Sequence, residues 1–184
     1  MSDARDLGPD SRLSDLRRDF LATSTRSMPI AGMLFWLVAA GASRVLDPQQ
    51  LAYLVGFGSG TVFPLGMLID RMRGIRPIQG KSSNPVVSMF LQCLALVVLL
   101  WPLVILGGVG QPEIIVLGGA ILMGLVWIPY GWAADDRVGL YHTIFRSLGC
   151  YAAYLFAPAP WRILAICGVV LLAYAYSFLF MRKP

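Results

Sequence analysis

Arg146 and His142 are the two residues whose types and spacing best suit a chemical site. Arg146 lies inside an otherwise apolar stretch from Val138 to Pro158, and His142 precedes it by four residues. Residues four apart share one face of a helix. A charge within such a stretch is costly, so it is usually either paired or functional. A guanidinium beside an imidazole predicts a site for a small polar or anionic ligand.

Three further polar residues complete this candidate ligand-binding set, namely Tyr141, Asp70 and Asp136. Tyr141 is adjacent to His142 in the sequence. Asp70 follows one apolar run and Asp136 precedes another, and these two run ends are predicted to meet the same membrane surface. We therefore expect a pocket that faces the cytoplasm and is built around Arg146.

A purely structural role for Arg146 is the alternative, and the sequence leaves both open. In this interpretation Arg146 pairs with Asp70 or Asp136 and only locks the helices together. Pro64 and Pro129 offer further acceptors, because a proline inside a helix frees the carbonyl one turn earlier.

Catalysis and cofactor binding receive little support. A single histidine excludes an HExxH motif, and no phosphate-binding P-loop occurs. No GxSxG turn is present either, and the three cysteines lie in apolar runs without CxxC spacing. We predict no catalytic residue, no metal and no cofactor. An intramembrane lipid-modifying enzyme remains an alternative, with His142 as its acid–base candidate.

The chain that positions these residues has the composition of a membrane protein. Of its 184 residues, 57% are hydrophobic and only 14% are charged, whereas soluble domains carry about 25% charged residues. The basic residues fall in short segments between apolar runs, a pattern that sets membrane orientation. The sequence therefore predicts a lipid bilayer as the surroundings and excludes nucleic acid as a partner.

We predict an all-α fold, a polytopic bundle of six transmembrane helices with an N-terminal amphipathic surface helix. The predicted spans are residues 28–45, 50–69, 85–106, 113–132, 138–156 and 161–181. The cytoplasmic N-terminal segment is residues 1–27 and the transmembrane domain residues 28–184. In the former, Leu13, Leu16 and Phe20 recur at helical spacing. This helix lies either on the membrane surface or against the cytoplasmic loops.

The distribution of Lys and Arg predicts the orientation of the spans. One side receives the N-terminal tail, the basic loop 70–84 and the C-terminus, whereas the other receives only Arg44 and Arg162. Positive charge concentrates on the cytoplasmic side of membrane proteins. We therefore predict that both termini are cytoplasmic.

Glycines in the second and fourth spans predict close approach between helices. Gly56 and Gly60 have GxxxG spacing, and Gly118, Gly119 and Gly124 follow in the fourth span. Such faces suit contacts within the bundle or between subunits. A structural or assembly partner of another membrane protein, including a homo-oligomer, is therefore an alternative function.

Several short motifs resemble those of an uncharacterised bacterial family. In chain order they are Asp19-Phe20, Gly32, Trp36, Phe63-Pro64-Leu65-Gly66 and Asn84-Pro85. The chain resembles small multi-pass membrane proteins known only as a domain of unknown function, over most of its length beyond the tail. Ser24-Thr25-Arg26-Ser27 departs from the expected glycine-rich lead-in. The resemblance implies a bacterial inner membrane and a compact helical bundle, but no substrate and no catalytic residue.

These observations favour a non-enzymatic role. The preferred function is an integral membrane protein that binds or passes a small polar or anionic ligand through a cytoplasm-facing pocket near Arg146.

Overall fold

A computed structural model describes residues 11–22, 27–74 and 83–181, and every regular element in these ranges is helical. The helices are α1 (Leu13–Ala22), α2 (Ser27–Ala42), α3 (Pro48–Met72), α4 (Pro85–Gly107), α5 (Pro112–Ala134), α6 (Val138–Phe156) and α7 (Ala159–Phe180). The all-α prediction is confirmed for this part of the chain. The rest of the predicted N-terminal segment, most of the basic loop and the C-terminal Arg182-Lys183 lie outside the described residues.

Four of these helices, α3, α4, α5 and α7, are long and apolar enough to cross a membrane. They indicate an integral membrane protein. The apolar helix α2 has only 16 residues. The 19-residue helix α6 is made less apolar by its tyrosines, His142 and Arg146. Length and composition therefore support four spans, and they do not establish the predicted six.

Contacts between helix termini show how the helices alternate in direction. At the α1 end, named for the helix that packs there, Arg73 after α3 donates to Ser27 at the start of α2 (Nη1–Oγ 3.4 Å). At the opposite, far end, Arg44 after α2 lies over the Trp161 ring at the start of α7, 4.4 Å from its centroid. The short α2 therefore starts beside the end of α3 and ends beside the start of α7.

Three of the long helices are interrupted close to a proline. The breaks lie at the 3-10 turn Ser59–Thr61 before Pro64 in α3, at Leu100 before Pro102 in α4, and at Val126 before Pro129 in α5. Proline has no backbone N–H, and its ring clashes with the carbonyl four residues earlier. Each break therefore has a local cause in the sequence, and all three lie within a candidate membrane span.

Helix α1 packs against the bundle rather than lying free on a surface. Leu16 and Phe20 are buried. The Phe20 ring contacts Phe90 of α4 and Tyr130 of α5, with centroids 5.4 and 6.0 Å apart. The side-chain amide of Asn84, which precedes α4, donates to the Leu16 carbonyl at 2.8 Å. Helix α1 therefore packs against residues of α4 and α5, a contact with the helices themselves that the sequence did not predict.

The glycines of α5 are used inside the bundle. A Cβ added at Gly118 would lie 2.5 Å from Val104 of α4. A Cβ added at Gly119 would lie 2.8 Å from both Val55 of α3 and Trp101 of α4, and one added at Gly124 would lie 2.9 Å from Arg146 of α6. Glycine at these positions allows three neighbouring helices to approach α5 closely. This internal use weakens the idea that the same face binds another subunit. Gly60 of α3 differs, because its Cβ position has no neighbour within 4 Å.

Candidate functional site

The inner face of α6 carries three buried polar side chains, His142, Thr143 and Arg146. Their spacing of three and four residues places them on one side of the helix. Tyr141 is 51% exposed, so it lies on the outer side of α6. Arg146 is eight residues after Val138, which places it about 12 Å along the helix axis.

The Arg146 guanidinium is enclosed by two aromatic rings and one carbonyl. Its Nε donates to the Ala120 carbonyl of α5 at 2.7 Å. Its Cζ lies 5.5 Å from the Trp36 ring centroid of α2 and 5.4 Å from that of Tyr174 of α7. Cation–π contacts contribute about 0.5–2 kcal/mol each. Because Gly124 has no side chain, the Arg146 stem can lie against α5.

The terminal nitrogens Nη1 and Nη2 of Arg146 are both buried, and neither has a hydrogen-bond partner among the described residues. Together they carry four N–H donors. Leaving a buried polar group unpaired costs about 1–3 kcal/mol, and more for a charged one. The natural complement of this fork is a carboxylate or phosphate, which arginine binds through two parallel hydrogen bonds.

His142 lies in the same part of the bundle and has one ring nitrogen bonded and the other unpaired among the described residues. Its Nδ1 lies 2.7 Å from the Ser177 Oγ of α7, and the Ser177 hydroxyl donates to the Ala173 carbonyl at 3.1 Å. When the Ser177 hydroxyl donates its one proton to Ala173, Nδ1–H is the donor to Ser177 and Nε2 of the neutral ring is an acceptor. Nε2 is buried and has no partner in the described part of the chain. The imidazole also stacks on Trp127, with centroids 4.1 Å apart.

Asp70 is fully buried near the end of α3, and neither of its carboxylate oxygens has a partner among the described residues. Gly66, one turn earlier, packs on Met28 at the start of α2. Asp70 therefore lies close to the N-terminal end of α2, where the helix dipole favours a negative charge. It makes no ion pair with Arg146.

Asp136 lies in the turn between α5 and α6. Its Oδ1 accepts a hydrogen bond from the Val138 backbone N–H at 2.9 Å, which stabilises the start of α6. Its neighbour Asp135 has a left-handed backbone (φ 53°) and forms an ion pair with Arg17 of α1 at 2.8 Å. The structure thus places Asp136 at the α1 end, two to three helical turns from Arg146 along the chain.

The sequence predicted His142 and Arg146 on one face but missed the residues that enclose them. Trp127, Tyr174 and Ser177 come from α5 and α7, and no spacing rule connects them to α6. One signal was available, since Tyr174 and Ser177 are three residues apart and share a face of an otherwise apolar helix.

An apolar cavity of about 160 Å³ lies beside this polar cluster. Trp127 and Tyr174 form part of its wall and also contact His142. These two rings therefore separate the polar cluster from the cavity. No group of three or more His, Cys, Asp and Glu side chains placed to hold a metal ion occurs among the described residues.

Fold and site together define a class, that of an integral membrane protein of α-helices with a buried polar cluster that contains one arginine. Within that class, the family of unknown function DUF7010 matches residues 13–182, and the chain belongs to this family. The resemblance to an uncharacterised domain of unknown function is thereby confirmed. No curated protein and no solved structure matches the chain.

Proposed function

We propose that this DUF7010 protein binds a small oxyanion, a carboxylate or a phosphate, in the core of the bundle at Arg146. The proposal rests on the buried guanidinium of Arg146, because its Nη1 and Nη2 have no hydrogen-bond partner among the described residues. An arginine kept only for packing would find carbonyl or carboxylate oxygens for these donors, because unpaired buried donors are costly.

The acceptor on His142 narrows the chemistry of the ligand. An anion without an O–H or N–H group can accept hydrogen bonds from Arg146 but offers no donor to Nε2 of His142. A ligand with an additional O–H or N–H group satisfies both residues. A hydroxy acid and a hydrogen phosphate ion have this combination, so they are the preferred small ligands.

Six transmembrane spans form part of the same proposal. The short α2 and the polar α6 run between the same two ends as their neighbours, since Arg44 meets Trp161 at the far end and His142 meets Ser177 near the α1 end. A helix whose polar residues face inward can cross a bilayer despite a modest hydropathy.

The α1 end is the proposed cytoplasmic side of a bacterial inner membrane. The described basic residues at this end are Arg12, Arg17, Arg18, Arg71, Arg73 and Arg137, whereas Arg44 and Arg162 lie at the far end. This asymmetry follows the positive-inside rule.

The proposed route to the site starts at the α1 end. A cleft there is lined by residues of α1, α5, α6 and the turn between α5 and α6, including Arg17, Asp135, Asp136 and Leu140. Arg146 and His142 are fully buried, so a ligand reaches them only when this end opens. The Arg17–Asp135 ion pair bridges α1 to the end of α5, and its separation would widen the cleft. Passage across the membrane would require a second opening at the far end.

The experiment is thermal unfolding of the purified protein in detergent with lactate, phosphate or chloride. A ligand that binds only the folded state raises the unfolding temperature as its concentration rises. We expect lactate or phosphate to raise it more than chloride at equal ionic strength, in wild type and in the control variant Arg162→Gln. Arg146→Gln should abolish the difference. Equal shifts in wild type and Arg146→Gln would contradict the proposal.

A further inference from the structure

The apolar cavity of about 160 Å³ lies where the three proline-broken helices meet. Residues of all three breaks or their flanks line it, including Ser59 and Gly60 of α3, Val98 of α4, and Val126 and Trp127 of α5. The remaining wall is almost entirely apolar and aromatic. A cavity of this size and character holds a ring-sized or chain-like apolar group rather than water.

The cavity lies between α3 and α4 on the side of the bundle that faces lipid. Helix α3 packs mainly on α2 and α5, whereas α4 packs on α5 and α1. On the outer side, Gly60 of α3 and Val98 of α4 are both exposed. The gap between the two helices therefore opens sideways, and in a bilayer its immediate surroundings are lipid acyl chains.

The cavity begins near the α1 end and extends to mid-depth. Met28 and Pro29 at the start of α2 line one part of it, and Ser59 at the break in α3 lines another. Phe63, in the cavity wall, precedes Arg71 by eight residues, which corresponds to about 12 Å along the axis of α3. Half of the hydrocarbon core of a bilayer is about 15 Å thick. A chain from the α1-end leaflet thus has the length to reach the cavity while its headgroup stays at the surface.

The charge at that surface selects the headgroup. Arg71 and Arg73 are exposed at the end of α3, at the level where the phosphate of such a lipid lies. Clustered arginines next to a span attract anionic lipids. We infer that the cavity between α3 and α4 is a binding site for one acyl chain of an anionic phospholipid from the α1-end leaflet. This site is separate from Arg146, and either can exist without the other.

Trp127 offers a direct test, because it lines the cavity yet is only 7% exposed. The protein is reconstituted in vesicles of phosphatidylglycerol or phosphatidylcholine whose chains are dibrominated at mid-length, since bromine quenches nearby tryptophan fluorescence. The fluorescence of Trp127 is obtained by subtracting the signal of the corresponding Trp127→Phe variant from the signal of each protein. The blocking variant is Gly60→Leu, which adds a side chain at the cavity wall where no atom lies within 4 Å.

The matched control is Gly168→Leu in α7, another glycine whose Cβ position has no neighbour within 4 Å, away from the cavity. We expect brominated phosphatidylglycerol to quench Trp127 in wild type and Gly168→Leu, with loss of quenching in Gly60→Leu. Weaker quenching by phosphatidylcholine, and loss of this preference in Arg71→Gln/Arg73→Gln, would support the headgroup assignment. Unquenched Trp127 in wild type, equal quenching in Gly60→Leu, or equal quenching by the two lipids would overturn the inference.

Discussion

Arg146 and Arg162 are built into the bundle in similar ways but differ in their counter-ion. Each guanidinium lies over aromatic rings, those of Trp36 and Tyr174 for Arg146 and that of Tyr154 for Arg162. Arg162, at the far end, also forms an ion pair with Glu113 of α5. Arg146, in the interior of α6, has a single carbonyl bond and no carboxylate among the described residues.

This difference separates two uses of an arginine, one partly exposed at the far end and one fully buried in the bundle. The Arg162–Glu113 pair joins the start of α7 to the start of α5 and gives Arg162 a counter-ion within the protein, although Arg162 Nε has no hydrogen-bond partner among the described residues. Arg146 is held in place by its rings and by Nε, while its outer donors remain available. Under the proposed function, the protein positions Arg146 and a bound anion balances its charge. Four substitutions test this contrast.

The largest expected effect is on anion affinity in Arg146→Gln. Two charge-assisted hydrogen bonds worth about 1.5–3 kcal/mol each are lost, so affinity for lactate or phosphate should fall roughly 100-fold or more. Isothermal titration calorimetry in detergent measures this. Arg162→Gln should retain wild-type affinity. Equal losses in both variants would show that the two arginines do not differ as described.

The second effect is on stability in Arg162→Met. This change leaves the Glu113 carboxylate without its counter-ion, and the expected loss is about 1.5–3 kcal/mol in the free energy of unfolding. Denaturant titration in mixed micelles measures it. Adding Glu113→Gln to the same chain should restore part of the loss. An Arg162→Met protein as stable as wild type would refute the structural role of the pair.

A smaller loss of anion affinity is expected in His142→Phe. Phenylalanine keeps a ring that can stack on Trp127 but removes the Nε2 acceptor, which is worth about 1 kcal/mol or roughly five- to tenfold in affinity. Calorimetry with lactate measures the change. Tyr141→Phe is the control, because Tyr141 lies on the outer side of α6. If Tyr141→Phe lowers the affinity for lactate as much as His142→Phe does, Tyr141 also contributes to anion binding.

The smallest effect is on stability in Arg146→Met without added anion. No carboxylate loses a partner, and removing two unpaired buried nitrogens offsets the loss of the Nε–Ala120 hydrogen bond and the cation–π contacts, so the loss in free energy of unfolding should be smaller than in Arg162→Met. The same denaturant titration applies. A loss as large as that in Arg162→Met would mean that Arg146 has a structural partner of equal strength.

Most helix positions could be predicted because local signals mark them. Apolar runs bounded by Pro48, Pro85 and Pro112 begin helices at those residues, since proline suits the first turn. The shared face of His142 and Arg146 also follows from spacing alone. These features depend on residues close together in the chain.

The enclosure of Arg146 could not be predicted because it depends on packing between distant segments. Trp36, Trp127 and Tyr174 belong to three different helices, and any of them could have faced lipid. Asp70 was predicted near Arg146 from its depth alone, but the structure places it beside the start of α2. The sequence predicts the depth of a residue along its helix, but it does not predict which neighbouring helix that residue faces.

An experimental structure of the protein purified with lactate or phosphate would test the anion site most directly. We predict density for a non-protein molecule next to Nη1 and Nη2 of Arg146, at about 2.7–2.9 Å for charge-assisted hydrogen bonds, and within reach of Nε2 of His142. Hydrogen bonds from both nitrogens to protein oxygens, with no such density, would contradict the proposed anion site.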